Sequence, residues 1–583
     1  MIPPLPCADG DLTGHVWRSR YRHDGERDAD ETCLRVARAV SESEKDGAQG
    51  WENAFYALMR DGRFLPGGRI LAGAGTGRRV TLFNCFVMGA IEDSIEGIFR
   101  ALQEGAVTMQ QGGGIGYDFS TLRPRGVVAK GTGRVASGSV SFMHIWDTMC
   151  ATMLSTGVRR GAMMAALRCD HPDIEDFIDA KRNAGVLSHF NLSVLVSEDF
   201  LEAVRNDREW LLVFPGVTAG TETVMRPWPG RNDPIACTVH RRLRARALWD
   251  RIMRSAYDSA EPGVLFIDRI NRLNNLHYCE RINATNPCGE VPLPSFGACD
   301  LGSVNLTVFV REPFRPDALI DLAALAETAR TAVRLLDNVI DISRFPLPAQ
   351  REQARASRRI GIGIMGLADA LVMLGLRYDS EQGRDVAGQA MRTICHEAYR
   401  ASIGLAREKA CFPLFDRDAY LAAPFIAALP EDIRDGIAAH GIRNSHLTAI
   451  APTGSISLLA GQVSSGMEPL LDAVVERKVL QADGSWRNYT ATAASVRLWQ
   501  ERHTGLPPAF VATADIAPRD QLAMQAALQA YVDNAISKTL TLPADYPFED
   551  FAGLFEQAHA LGLKGCTAFR PGGIRGCAET PAG

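Results

Sequence analysis

Apolar residues recur at helical spacing from Pro316 to Ile342, where Leu, Ile, Ala and Val return every three or four positions, giving the clearest helix in the chain. Residues 1–60 mix charged and apolar positions and lean to helix. Ser141–Leu154 reads as an apolar helix, Ile174–Ala180 as a short one, and Ile91 opens another for which Asp93 or Ser94 suits the N-cap. Runs rich in β-branched and aromatic residues predict strands at Val80–Met88, Phe190–Val196 and Leu447–Ala451, and from Cys299 to Val310. The span 216–235 reads as loop, without the repeats of a flexible linker. Helices and strands over this length suit one large α/β domain or several domains.

Three kinds of punctuation interrupt these elements. Gln111-Gly112-Gly113-Gly114-Ile115-Gly116 lets a backbone approach something closely. Gly361-Ile-Gly363-Ile-Met-Gly366 matches GxGxxG, but Arg355–Ile360 before it is too basic for the buried strand that a dinucleotide turn needs, so it reads as close packing. Pro452-Thr453-Gly454-Ser455-Ile456-Ser457 follows a predicted strand and offers N–H groups and hydroxyls to an anion; it lacks the GK[ST] ending of a Walker loop.

The run with the most chemistry is Asn286-Pro287-Cys288-Gly289-Glu290. If it is extended, Asn286, Cys288 and Glu290 fall on one face, placing an amide, a thiol and a carboxylate in a row. The thiol can serve as nucleophile or radical carrier and the carboxylate as base. A proline- and glycine-marked loop with an ordinary buried cysteine fits the same letters.

Composition narrows the classes. With 46% hydrophobic and 22% charged residues the chain is an ordinary globular protein, and a net charge of −5 gives no global basic field for nucleic acid. No apolar run approaches a membrane span and the N-terminus lacks a signal peptide's regions, so a cytoplasmic location is expected. Thirteen cysteines without a CxxC argue against a disulfide framework or a zinc ribbon; Cys169-Asp-His171 lacks a second ligand pair. Arg123, Arg125, Lys130 and Arg134 lie in a glycine-rich loop that suits phosphates or plain solvent.

Taken in order, these motifs resemble the catalytic chain of ribonucleotide reductases over roughly residues 50–575. Asn286-Pro-Cys288-Gly-Glu290 matches the family's active-site loop; Cys85 in Phe83-Asn84-Cys85-Phe-Val and Cys299 match its redox pair. Pro452-Thr453-Gly454-Ser455-Ile456 matches the substrate-phosphate turn, and the glycine segment around Gly114 one that backs the substrate; Gly68 and Asn84 join the substrate set. The resemblance implies a ten-stranded α/β barrel of two five-stranded halves, with the catalytic loop pushed inside as a finger. It implies that Cys288 as a thiyl radical takes the 3′ hydrogen, Glu290 is base on the 3′ hydroxyl, Asn286 holds the substrate, and Cys85 with Cys299 becomes a disulfide.

Of the family's classes, the chain most resembles class II, which draws its radical from adenosylcobalamin. It has no Tyr-Tyr pair and no tyrosine after Tyr546, as a class I large subunit would, and Gly572 and Gly573 lack the surroundings of a glycyl-radical site while Glu290 is present. The Lys564–Arg570 stretch also looks like class II. The expected organisation is a helical region over 1–60 without an ATP cone, a barrel over 61–575 and a tail over 576–583. Asp93, Ser94, Ile95 and Arg123 are expected to bind dNTP or ATP specificity effectors at a homodimer interface, with Arg182–His189 as the linking loop. The active-site disulfide is expected to be reduced by a thioredoxin- or glutaredoxin-like protein, a Cys566/Cys577 pair being the other route. Diphosphate substrates are favoured over triphosphates. A class I large subunit, a silent nucleotide-binding relative and a thiyl-radical enzyme for another substrate are the rival readings.

Overall fold

The computed structural model describes residues 11–127, 135–154, 162–183, 185–216, 220–231, 233–480, 485–572 and 579–581. Three helices come first: α1 (Leu12–Arg20), α2 (Ala29–Ser41) and α3 (Ala48–Arg60). Asp11 and Asp28 cap the first two by accepting from Gly14 and Glu31 N–H at 2.6 and 3.0 Å, satisfying donors that a helix start leaves open.

Nine strands build the central sheet: β1 (Cys85–Val87), β2 (Gly114–Asp118), β3 (Met163–Arg168), β4 (Phe190–Val196), β5 (Gly263–Phe266), β6 (Ala298–Asn305), β7 (Ile360–Met365), β8 (Thr539–Thr541) and β9 (Gly565–Phe569). A tenth, Phe64–Pro66, lies antiparallel on the far end of β6. β1 to β5 are parallel in sequence order. β6 is parallel to β7, and β8 to β9. Single parallel bridges, Ile362 to Thr448 and Ile450 to Ile536, carry the sheet from β7 through residues 447–451 to the segment that leads into β8. The α/β architecture thus falls into two parallel halves of five strand segments each. They meet antiparallel at two seams, β1/β6 and β5/β9. The expected halves are present, joined in part by bridges rather than full ladders.

Strand alternation separates two layers. One face of the sheet packs on helices; the other encloses a smaller apolar cluster containing Cys85, Val87, Leu195, Leu265, Cys299, Leu301 and Ala449. Ala284, Val291 and Leu293 belong to the same cluster, so the 284–293 segment lies inside the barrel.

Several expected boundaries move. Residues 80–84 run across the sheet, with Thr81 N–H on Gln111 O and Leu82 N–H on Ser343 Oγ, leaving only Cys85–Val87 as strand. The strand from Cys299 stops at Asn305, whose side chain caps a 3-10 turn, Leu306–Phe309. The long helix α4 (Leu322–Ile342) starts at its Asp321 cap, while Leu319–Ile320 pairs with Val310–Arg311. The span expected as loop contains a strand, Thr223–Arg226, paired with Ile235–Arg244. Residues 447–451 form bridges, not a ladder.

Residues 361–365 of the glycine motif lie in a buried parallel strand, contrary to the argument from its basic flank. Arg358 is accommodated because Asp337 and Asp341 accept from it at 2.8 Å, and Arg359 because Glu280 and His446 receive it. Close packing is the motif's role: a Cβ on Gly363 would lie 2.4 Å from Ala449 O. Among the described residues no helix is long and apolar enough to cross a membrane.

Candidate active site

The finger is a hairpin. Ala284–Thr285 pairs with Pro292–Leu293, and residues 286–291 turn between them. Asn286 N–H donates to Val291 O at 3.2 Å, Val291 N–H to Asn286 Oδ1 at 3.0 Å and Gly289 N–H to Asn286 O at 3.1 Å, with Gly289 at φ +83°. The run is therefore turned, not extended. Asn286 and Glu290 are buried, while Cys288 at the tip is exposed. The three do not share one face.

The barrel makes room for this insertion with glycine. A Cβ on Gly116 would sit 1.9 Å from Thr285 O, and one on Gly114 3.2 Å from Pro287 Cγ. The glycine segment thus makes room for the finger. The tip is tied to both halves: Asn191 Nδ2 of β4 donates to Pro287 O at 2.7 Å, and Ala535 N–H to Glu290 O at 2.9 Å. Asn191 lay inside a predicted strand, with nothing in the sequence to single it out.

Cys85 and Cys299 face each other across the β1/β6 seam as direct partners. Opposed residues of antiparallel strands have Cα atoms about 4.5–5.5 Å apart, within the range a disulfide requires. Both are thiols here. Asn286 Nδ2 donates to Cys85 Sγ at 3.1 Å, and Cys85 Sγ lies a long 3.9 Å from Glu290 Oε1. Burial, reinforced by the Glu290 charge, pushes the Cys85 thiol well above its ordinary range; burial and then Asp300 do the same to Cys299. Both stay protonated at neutral pH. Burial raises the Glu290 carboxyl to about 7, with bonds from Asn286 and Cys85 pulling the other way. Its Oε2 has no partner among the described residues, nor has Asn84 Oδ1, two residues' worth of open acceptors beside the pair.

The 452–456 turn follows the bridging residues 447–451. Thr453 takes φ +54°, its carbonyl accepts from Ser457 N–H and its Oγ1 from Gly466 N–H at 2.7 Å. Gly454 has open space around it, and Ser455 and Ile456 begin the one-turn helix α5 (Ile456–Leu459). A Cβ on Gly68 would approach Ser455 Oγ to 3.6 Å, and one on Gly67 the Asn84 amide to 3.2 Å. Gly68, Asn84 and the turn therefore converge. A cavity of about 530 Å³ is bordered by Cys288, Gly289, Pro452, Asn191, Lys538 and Lys564.

Residues 83–569 match the family model described as ribonucleotide reductase, barrel domain, and residues 9–79 match ribonucleotide reductase, all-alpha domain. The chain belongs to the ribonucleotide reductase family.

Among its relatives, a protein of Mycobacterium tuberculosis (strain CDC 1551 / Oshkosh) named vitamin B12-dependent ribonucleoside-diphosphate reductase is 38% identical, with 94% of this chain and 76% of that protein covered. A protein of the same name from Thermoplasma acidophilum is 36% identical, covering 89% of this chain and 65% of the relative. The ribonucleoside-diphosphate reductase large subunit of vaccinia virus is 26% identical over 87% and 70%.

In this reductase the four residues expected to bind effectors lie at or beside the start of the helix Ile95–Gln110. Ser94 caps the helix Ile95–Gln110 by accepting from Gly97 N–H at 3.0 Å. Asp93 Oδ2 accepts from Arg123 Nε at 2.8 Å, and its carbonyl from Arg123 Nη2 at 2.8 Å. Ile95 is 57% exposed. Lys130 and Arg134 lie outside the described residues, as does Cys577. Of the Arg182–His189 loop, His189 is anchored on Asp147, its N–H donating to Oδ1 at 2.9 Å.

Proposed function

We propose that this reductase converts ribonucleoside diphosphates to 2′-deoxyribonucleoside diphosphates with a radical drawn from adenosylcobalamin. The observation that carries the reading is the division of labour among three thiols. Cys85 and Cys299 are buried and opposed, suited to release two electrons together as they join in a disulfide. Cys288 stands apart and exposed on the cavity. The names of the relatives support the cofactor and the diphosphate.

When bound, adenosylcobalamin supplies a carbon-centred radical that can take hydrogen from a thiol. The fit is chemical: of the two cysteines that border the cavity Cys288 is the exposed one, and Pro287–Gly289 with Lys538 form walls against which the adenosyl end would lie. Cys288, as thiyl radical, removes the 3′ hydrogen of the ribose and becomes a thiol. Glu290 accepts the 3′ hydroxyl proton, for which a carboxyl near 7 is matched. The 2′ hydroxyl leaves as water with the Cys85 proton. As their S–S bond forms, Cys85 and Cys299 give two electrons and the second proton to C2′, making it CH₂. Cys288 returns hydrogen to C3′, and the Glu290 proton goes back to the 3′ oxygen. Asn286 orients Cys85 and the substrate, with Asn84 and Glu290 Oε2 as further hydroxyl acceptors. Gly68, Gly114 and Pro452–Ile456 receive the diphosphate end.

The same proposal includes a homodimer. The Ile95–Gln110 and Ser139–Leu154 helices leave between them an apolar groove with Leu102, Ile145 and Met149, beside exposed Ile95 and Phe99. Asp93, Ser94, Ile95 and Arg123 at its end would take dNTP or ATP effectors. The remaining proposals are reduction by a thioredoxin- or glutaredoxin-like protein, a cytoplasmic location, and division at 1–60, 61–575 and 576–583.

The test is purified protein with CDP, a dithiol, dNTP effectors and adenosylcobalamin. Deoxycytidine diphosphate is expected. No product with that cofactor, but product once a radical-generating partner subunit is added, would overturn the cobalamin reading. Cys288→Ser is expected to abolish turnover while retaining nucleotide binding.

A further inference from the structure

Tyr21 ends α1 in the N-terminal helical region, yet its phenol reaches the substrate turn, 434 residues along the chain. Tyr21 OH donates to Ser455 Oγ at 2.6 Å, and the ring is 3% exposed. The contact is built. Thr13 Oγ1 of the same helix donates to Leu458 O at 3.0 Å, holding α1 against α5. Tyr21 O accepts from Arg35 at 3.3 Å, which also reaches Leu71 O. A Cβ at position 68 would come within 3.2 Å of the phenol oxygen, so Gly68 leaves the space that Tyr21 fills.

The direction of this bond has a consequence. A serine hydroxyl has one proton and two lone pairs. Once Ser455 accepts from Tyr21, its own proton is directed away from the phenol, and among the described residues Ser455 donates to no protein group. Hydroxyls in a chain polarise one another, which strengthens the outer donor. We propose that Tyr21 is a positioning residue for nucleotide binding: it fixes Ser455 as a donor toward a phosphate oxygen of the substrate. The helical region thereby shapes the phosphate subsite of the barrel. This rests on the reading that Pro452–Ile456 receives the diphosphate.

The experiment is a double-mutant cycle with Tyr21→Phe and Ser455→Ala on the full chain, measuring KM and kcat for CDP and the melting temperature of each variant. Phenylalanine keeps the ring packed, so the melting temperature is expected to hold. Losing one oriented hydroxyl bond should raise KM about fivefold with kcat within about twofold. Ser455→Ala should raise KM at least as much, and the double variant should match it, because Tyr21 acts only through Ser455. If Ser455→Ala raises KM while Tyr21→Phe does not, the role of Tyr21 is overturned and the phosphate turn stands. If Tyr21→Phe raises KM equally when position 455 is already alanine, Tyr21 acts by another path and the proposal is likewise overturned. If neither variant moves KM, the phosphate reading of the turn falls and takes this inference with it. Should Tyr21→Phe melt lower, direct CDP binding to the folded variant at low temperature decides in the same way.

Discussion

The two antiparallel seams of the barrel have the same backbone pattern and opposite chemistry. At β1/β6, Cys85 opposes Cys299. At β5/β9, Cys566 opposes Val264. The first pair projects into the barrel interior among Ala284, Val291 and Leu293 of the finger. The second projects outward into the layer of helices, in the large apolar cluster. A strand places successive side chains on opposite faces, so register alone decides which seam can serve the finger. On the proposed function, a buried cysteine becomes redox-capable through its partner and its face; the strand that carries it is not enough.

The largest effect should come from breaking the inner pair. Cys299→Ser leaves Cys85 without a sulfur to bond, and dithiol-driven turnover should drop below about 1% of the parent rate. Cys566→Ser should stay within about twofold and cost roughly 1 kcal/mol of stability, measured by denaturant unfolding. Steady turnover in Cys299→Ser, or its loss in Cys566→Ser, would erase the contrast. A Val264→Cys variant sharpens it: the new opposed thiols can oxidise to a disulfide, seen as two fewer titratable thiols, yet should not rescue Cys299→Ser.

Glu290 comes next. It is the carboxylate that faces Cys85 of the inner seam. With its carboxyl at about 7, kcat should rise as pH increases through 7. Glu290→Gln should lower kcat by about 10²–10⁴ and flatten that limb. The stability sign is opposite. Because the folded carboxyl is raised from 4.5 to about 7, its contribution is fully present below pH 4.5 and lost as pH rises through 7. The ionised buried group then costs on the order of 3 kcal/mol, which Glu290→Gln should recover above pH 7 in chemical unfolding.

Gly116→Ala should follow. The added methyl meets Thr285 O in the finger stem at 1.9 Å, where neither backbone can yield without moving the tip. Overpacking of this kind costs about 1–3 kcal/mol, and a tip displaced by a fraction of an ångström loses at least about tenfold in kcat. An alanine variant with parent activity and melting temperature would show that the glycine is not there for the finger.

How far the residues alone reveal this molecule depends on the scale of the signal. Phe190–Val196 was legible to the residue because an apolar run bounded by polar positions is a local property. The finger sequence announced its chemistry, but not its turn: Gly289 at positive φ and the Asn286–Val291 bonds send Cys288 to the cavity and Asn286 and Glu290 to the interior. The basic flank of Ile360–Met365 misled because Asp337, Asp341 and Glu280, 17 to 79 residues away, neutralise Arg358 and Arg359. Asn191 and Tyr21 were invisible for a related reason. Each acts through one hydrogen bond to a distant residue, and no spacing rule records such a bond.

The smallest effect tests how the two halves share the finger. Asn191 ties the tip to the first half through Pro287 O, and Ala535 ties it to the second through Glu290 O. The second tie is backbone to backbone and survives any side-chain change; the first depends on one amide. Asn191→Ala should therefore loosen one anchor only. Losing a single partly buried bond costs about 1 kcal/mol, and kcat should fall roughly three- to tenfold as the thiol loses its fixed approach to the ribose. The acidic limb should stay at about 7, since Glu290 keeps its burial and its Ala535 contact. If the limb moves down toward the ordinary carboxylate range instead, the tip swings as a unit and both halves are needed to bury Glu290.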